Sequence, residues 1–172
     1  MKKTLKRLTV MMALLAVPFA MQAQSKFHDA EANEAKGAVK VIKQTVMGRT
    51  EEVKFTEDGK MQREGMSDAV YDADGFLKSA SVEAMGQKGT IAYTWENGRL
   101  KTTVANMMGQ EIKSVYNYDA QGNVTSTSVN MAGQQLEIPF TDYKFDDKGN
   151  WTSRKTTMMG QTIEQTRTIE YY

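Results

Sequence analysis

Tyr71-Asp72-Ala73-Asp74-Gly75-Phe76-Leu77, Tyr118-Asp119-Ala120-Gln121-Gly122-Asn123-Val124 and Phe145-Asp146-Asp147-Lys148-Gly149-Asn150-Trp151 are three copies of one turn. A second kind alternates with it: Met85-Gly86-Gln87, Met107-Met108-Gly109-Gln110, Met131-Ala132-Gly133-Gln134 and Met158-Met159-Gly160-Gln161. From an acidic-turn glycine to the next methionine-turn glycine the step is constant at 11 residues: 75 to 86, 98 to 109, 122 to 133, 149 to 160. A fixed period with alternating turn chemistry specifies a repeated β-hairpin. Glycine supplies the φ > 0 position of such loops, and aspartate caps them from its side chain.

Working outward, each segment after an acidic turn has an apolar second residue, Leu77, Leu100, Val124 or Trp151, and then a middle of Thr, Ser and Lys. The return segments carry aromatics two apart, hence on one face: Tyr93 and Trp95, Tyr116 and Tyr118, Tyr143 and Phe145. Apolar pairs six apart bracket the acidic turns, as Phe55 with Met61 and Tyr71 with Leu77, where strands leaving one loop face each other. Pro139 removes a ladder donor and marks an edge, bend or bulge.

The fold expected is all-β: an antiparallel meander of about eleven strands built from repeated hairpins. So long a sheet curls, giving a curved single sheet or an open half-barrel. Residues 60–69 are the least regular stretch. A transmembrane barrel is the poorer reading, because Thr102, Ser126, Ser128, Thr152 and Arg154 interrupt both faces.

Three regions follow. Residues 1–23 read as a signal peptide: Lys2, Lys3, Lys6 and Arg7 precede an apolar run, Leu8 to Ala20, too short for a permanent span, and Ala23 suits cleavage. Residues 24–37 are a polar lead-in, mobile or a short helix, with little apolar surface to offset the cost of ordering. Residues 38–172 are the β-hairpin repeat domain. The expected location is periplasmic or secreted, with no transmembrane segment after signal cleavage. Loss of the four basic residues takes the net charge from +1 to about −3, which excludes a basic nucleic-acid footprint. With no cysteine, neither a disulfide framework nor an N-terminal lipidated cysteine is available.

The acidic-turn segments resemble the tyrosine-aspartate (YD) repeats of Rhs-type secreted bacterial proteins, whose core is Tyr-Asp-x-x-Gly-Asn/Arg-Leu/Val. The segments at Tyr71 and Tyr118 match best and that at Phe145 is close. Phe55-Thr56-Glu57-Asp58-Gly59-Lys60-Met61 departs from the pattern, and Tyr93 to Leu100 carries an extra residue. The resemblance implies a sheet built by repetition and linked to carbohydrate binding or cargo enclosure. Five repeats are too few to wrap a shell, and no catalytic residue carries over.

Catalysis has little to stand on. The sole histidine, His28, lies in the lead-in, so nucleophile–histidine arrangements are missing from the repeat domain. Asp72 with Asp74, and Asp146 with Asp147, are paired carboxylates at turns, where capping is the ordinary role; Asp72-Ala73-Asp74-Gly75 begins like a calcium loop but lacks its later ligands. Met47, Met85, Met107, Met108, Met131, Met158 and Met159 gather at one kind of turn, forming a row that packs, docks a partner or binds Cu(I) through thioethers. The candidate ligand-binding residues are the aromatics Tyr93, Trp95, Tyr116, Tyr118, Tyr143 and Trp151, which stack on a sugar or peptide or else form the sheet's own core.

The expectation is a non-enzymatic exported protein, without cofactor or metal, that binds or scaffolds a glycan, peptide or envelope protein. The alternative is a periplasmic carrier of an apolar ligand in a half-closed sheet, against which the Thr-rich strand middles speak. Oligomeric state is left open.

Overall fold

The computed structural model describes residues 26–158 and 160–172. The expected signal peptide and Met159 of the methionine row lie outside the described residues. Twelve strands form one antiparallel sheet. In chain order they are β1 (Val39–Val46), β2 (Arg49–Phe55), β3 (Met61–Gln62), β4 (Met66–Tyr71), β5 (Leu77–Ala84) and β6 (Gln87–Glu96), then β7 (Arg99–Met107), β8 (Gln110–Tyr118), β9 (Val124–Met131), β10 (Gln134–Phe145), β11 (Trp151–Met158) and β12 (Gln161–Tyr171). Every strand pairs with its sequence neighbours except β3 with β4, and the sheet rolls round until β1 meets β12. The result is a nearly closed barrel with one unsealed seam. The count exceeds the expected eleven by one strand: β3, two residues long, falls within the irregular stretch 60–69.

The acidic turns share one geometry. Asp72 N–H donates to Phe76 O at 2.9 Å and Gly75 N–H to Asp72 O at 3.2 Å, and the pattern recurs at Asp119 and Asp146. The Asp72 carboxylate accepts the Asp74 and Phe76 amides. At the divergent first copy the Thr56 hydroxyl replaces it, accepting Lys60 N–H at 3.0 Å.

Past these turns the register slips by one residue. Tyr71 faces Leu77 while Val70 faces Ser79, and the same slip separates Leu100 from Thr102, Val124 from Ser126 and Trp151 from Ser153. A bulge repeated at one height adds twist at one height, which curls the meander into a barrel. It also disturbs the ladder, and a side chain from the next return strand bonds the carbonyl there. Trp95 Nε1–H donates to Leu77 O at 2.7 Å, Tyr118 O–H to Leu100 O at 2.6 Å and Tyr143 O–H to Val124 O at 2.5 Å. In the last copy Arg167 Nε–H donates to Trp151 O at 2.6 Å.

The lead-in lies across the acidic-turn end of the barrel. Its backbone begins by bridging the seam: Lys26 and Phe27 N–H donate to Asp58 O, on the turn before β3, and His28 N–H donates to Gly75 O, on the turn after β4. A four-residue helix, α1 (Asp29–Ala32), follows. Arg167 then donates to Asn33 O and Glu34 O, and the Asn150 side chain exchanges hydrogen bonds with the Lys36 backbone. Apolar surface contributes Ala30, Ala35 and the Phe27 ring against Tyr71. Most of what orders this segment is polar bonding to the inner wall.

Candidate functional site

Directly paired residues share a face of a sheet, so the registers sort the wall into an inside and an outside. Below the acidic turns the inside is full. Leu77, Val124 and Leu100 are 2% exposed or less, and Ile42, Val53, Phe55 and Ala80 are buried with them. Polar groups of the lead-in meet this core: the Arg154 guanidinium makes two hydrogen bonds to the Glu34 carboxylate, at 2.6 and 3.2 Å. Arg154 and Arg167 stack on the Trp151 ring, 4.2 and 3.9 Å from its centre. Burial is the main influence on Arg167 and brings its pKa down to about 10, against the opposing charge of Glu34.

The six aromatics proposed from sequence all lie on this inner side. Tyr93 and Trp95 pack against the core cluster. Tyr116 pairs with Thr127 on the neighbouring strand, and Tyr118 and Tyr143 bond the bulge carbonyls. Trp151 is buried between two arginines. Burial raises the hydroxyl pKa of Tyr93, to about 12, and raises those of Tyr116, Tyr118 and Tyr143. The polar tips of Trp95, Tyr118 and Tyr143 bond backbone carbonyls, the buried Trp151 Nε1 has no hydrogen-bond partner, and the rings form the interior. Phe145 alone of the return-strand aromatics is substantially exposed, stacked on Tyr143 at 5.5 Å.

Toward the methionine turns the inner wall changes character. The ladder Ala80–Ile91–Ala105–Ile112–Met131 runs across β5 to β9 in direct register. Val129 pairs with Leu136, and Ile163 with Thr156. Ile91, Ala105, Ile112, Val129 and Ile163 are only half-buried, and Met131 and Leu136, nearer the rim, are exposed. Inward apolar side chains that solvent still reaches define an open apolar mouth. Thr103, one level below Ala105, is buried, as is Thr156 opposite Ile163, and the Thr156 hydroxyl has no partner.

The outer face at the same height mixes Ala92, Val104 and Val115 with polar residues. Thr102, Ser126 and Ser128, read from sequence as filling the strand middles, point outward; Asn117 bonds both serines, and Ser128 bonds Glu137. Lys43 sits between Glu52 and Glu170 at 3.6 Å from each. The Thr-rich middles are thus divided between the faces: Thr103, Ser114, Thr127 and Thr156 point inward and interrupt the aliphatic positions of the inner wall, as expected from sequence. Sequence reading missed this face because the Ile and Val positions are sparse within each strand and accumulate only across the register. The period-two run Ile91, Tyr93, Trp95 was its one local signal.

At the rim, Met47, Met85 and Met108 occupy the first position of two-residue turns with φ of 50°, 52° and 53°, each followed by a glycine. All three project into solvent, Met85 at 96% exposure. The turn carboxylates at the other end are engaged by amides, and Asn123 holds the pKa of Asp119 below its ordinary value. His28 stacks on Phe76 at 4.0 Å. Comparison with known proteins gives no family-model match and no curated relative, so the functional reading rests on this geometry.

Proposed function

We propose that this chain is an exported, non-enzymatic binding protein of the cell envelope that carries an apolar ligand in the open half of its barrel. One observation carries the reading: half-exposed Ile91, Ala105, Ile112, Val129 and Ile163 line the mouth on its inner wall, interrupted by the inward hydroxyls of Ser114 and Thr127. Barrel mouths lined by apolar groups above a few polar ones are common ligand sites. The carrier reading thus gains over the sequence expectation of a scaffold. Native mass measurement of the mature chain from its own envelope fraction tests it. A reproducible added mass of lipid size is expected, lost in Ile112→Glu and kept in the outward-facing neighbour Lys113→Glu. A bare chain in all three, at unchanged Tm, overturns it.

The methionine rim supports a second contact, with an envelope protein that delivers or receives the ligand. Type I′ turns favour Asn, Asp or Gly at both central positions, and the comparable turn at the opposite end has Asn97 with φ 52°. Apolar tips held in that conformation fit a docking role. A photo-crosslinker at position 85 should give a discrete adduct in the native envelope that one at position 97 does not. Identical patterns would remove this reading.

A further inference from the structure

The seam has two unlike lips. On the β4 side, Glu83 N–H reaches Gly65 O at 2.6 Å, so the loop between β3 and β4 occupies the end of β5. β4 itself is broken by Asp68, with φ 51°, where the register slips. A bulge of this kind turns an edge away from pairing.

The β2 side has no such device. Val46 and Arg49 close a two-residue turn, so Val46–Arg49, Gln44–Glu51 and Ile42–Val53 are the hydrogen-bonded pairs with β1. The alternate residues Thr50 and Glu52 turn their N–H and C=O groups the other way. β3 pairs only with Lys54 and Phe55, so among the described residues no strand meets Thr50 or Glu52 from that side. A cleft of about 1200 Å³ opens there, between β2 and the β4–β5 lip. Its charge is acidic in excess. Arg63 pairs with Glu51 at 2.6 Å and Lys54 with Glu52 at 3.2 Å, whereas Glu64, Asp68 and Glu83 also line the cleft with no ion pair among the described residues, Glu83 standing opposite Lys88, the third cation of the lining, in the β5–β6 register.

We propose that the free edge of β2 takes up an extended, lysine- or arginine-bearing segment of a partner protein as an added strand. The backbone rungs at Thr50 and Glu52 supply the affinity that strand addition draws on. Alternating cations of the incoming strand meet the unpaired carboxylates. A second copy of this chain is the poorer occupant: antiparallel pairing of β2 with β2 centred on its acidic stretch sets either Glu51 or Glu52 opposite its own copy, and like charges directly opposed are destabilising. The site is independent of the apolar mouth, since it is built from a strand edge.

The test uses three fluorescein-labelled octapeptides: alternating Thr and Lys, alternating Thr and Glu, and the lysine peptide N-methylated at every second amide. The lysine peptide should bind and slow hydrogen exchange at the Thr50 and Glu52 amides. The glutamate and N-methylated peptides should bind at least about tenfold more weakly. Glu52→Lys with Glu83→Lys sets lysine opposite Lys43 and Lys88 and should lower Tm; read below that Tm, where the variant is folded, it should reverse the charge preference. Equal binding of the lysine and glutamate peptides, protection at other amides, or no binding overturns the proposal. So does a free protein that is dimeric with Thr50 and Glu52 already protected, which assigns the edge to a second copy.

Discussion

The Asp29 carboxylate accepts the Met61 N–H at 2.6 Å, joining the lead-in to the short strand at one lip of the seam. The same oxygen accepts the Tyr71 hydroxyl at 2.7 Å, from the strand at the other lip. One side chain therefore spans a gap that backbone pairing leaves open. Asp29 is fully buried and its second oxygen has no partner. Burial is the main influence on it and raises its pKa above 3.8, against the lowering effect of the Met61 and Tyr71 bonds.

Asp29→Ala should destabilise the protein by about 1–3 kcal/mol, because it leaves the buried Met61 amide and Tyr71 hydroxyl without an acceptor. Asp29→Asn separates the charge from the bonds. A carboxyl with a raised native pKa binds more protons in the native than in the unfolded state between the two pKa values. Its contribution is full below 3.8 and is lost as pH rises through the native pKa. Stability of the natural protein minus that of Asp29→Asn, from urea unfolding, should fall as pH rises from 3.8. A difference independent of pH would show that Asp29 titrates normally.

Glu34 and Arg154 form the next tie. Removing one partner of a buried pair leaves an uncompensated charge, at a cost of about 3–5 kcal/mol. Arg154 is 4% exposed, and Glu34 is its carboxylate partner. Glu34→Ala should therefore approach the lower end of that range, whereas Glu34→Ala with Arg154→Met should cost less than the two single changes added together. A double-mutant cycle read by urea unfolding measures this coupling; additive costs would mean that Gln165 and the Tyr143 hydroxyl, which also bond Arg154, suffice.

How much of this was legible in the chain follows from the range of each interaction. The turns were legible because Asp72 and Gly75 act within five residues of each other. Their period carried the meander. The lead-in was read as poor in apolar surface, which it is. Its partners, Met61, Arg154 and Arg167, lie far along the chain, and a mid-strand arginine looks the same in sequence whether it faces solvent or a buried glutamate. The apolar mouth needed the register, since Ile91, Ala105 and Ile112 become neighbours only when three strands align.

Gly75 tests the seal over the seam. A Cβ added there would come within 1.7 Å of Lys26 O, whereas one added at Gly149, in the equivalent turn, meets nothing within 4 Å. Both glycines have positive φ, 86° and 76°, so alanine carries a similar backbone cost of about 1–2 kcal/mol at either. Any excess at Gly75 reports displacement of the lead-in. Gly75→Ala should lower Tm more than Gly149→Ala and expose the bond after Lys26 to trypsin. Equal Tm values with equal cleavage would mean that the seam holds without this contact.

Met85 poses the opposite case, a residue whose replacement should improve the fold. It is 96% exposed, so it buries almost nothing, yet its φ of 52° lies where L-residues other than Asn and Asp pay a steric cost. Met85→Asn keeps the turn and relieves that cost, which should raise stability by up to about 1 kcal/mol. Asn97, in the turn at the far end of β6, already has this solution. If the rim docks an envelope protein, Met47→Asn, Met85→Asn and Met108→Asn together should raise Tm while weakening the crosslink formed at the rim. A triple variant that gains stability and crosslinks as before would show that the methionines are tolerated in these turns without being used by them.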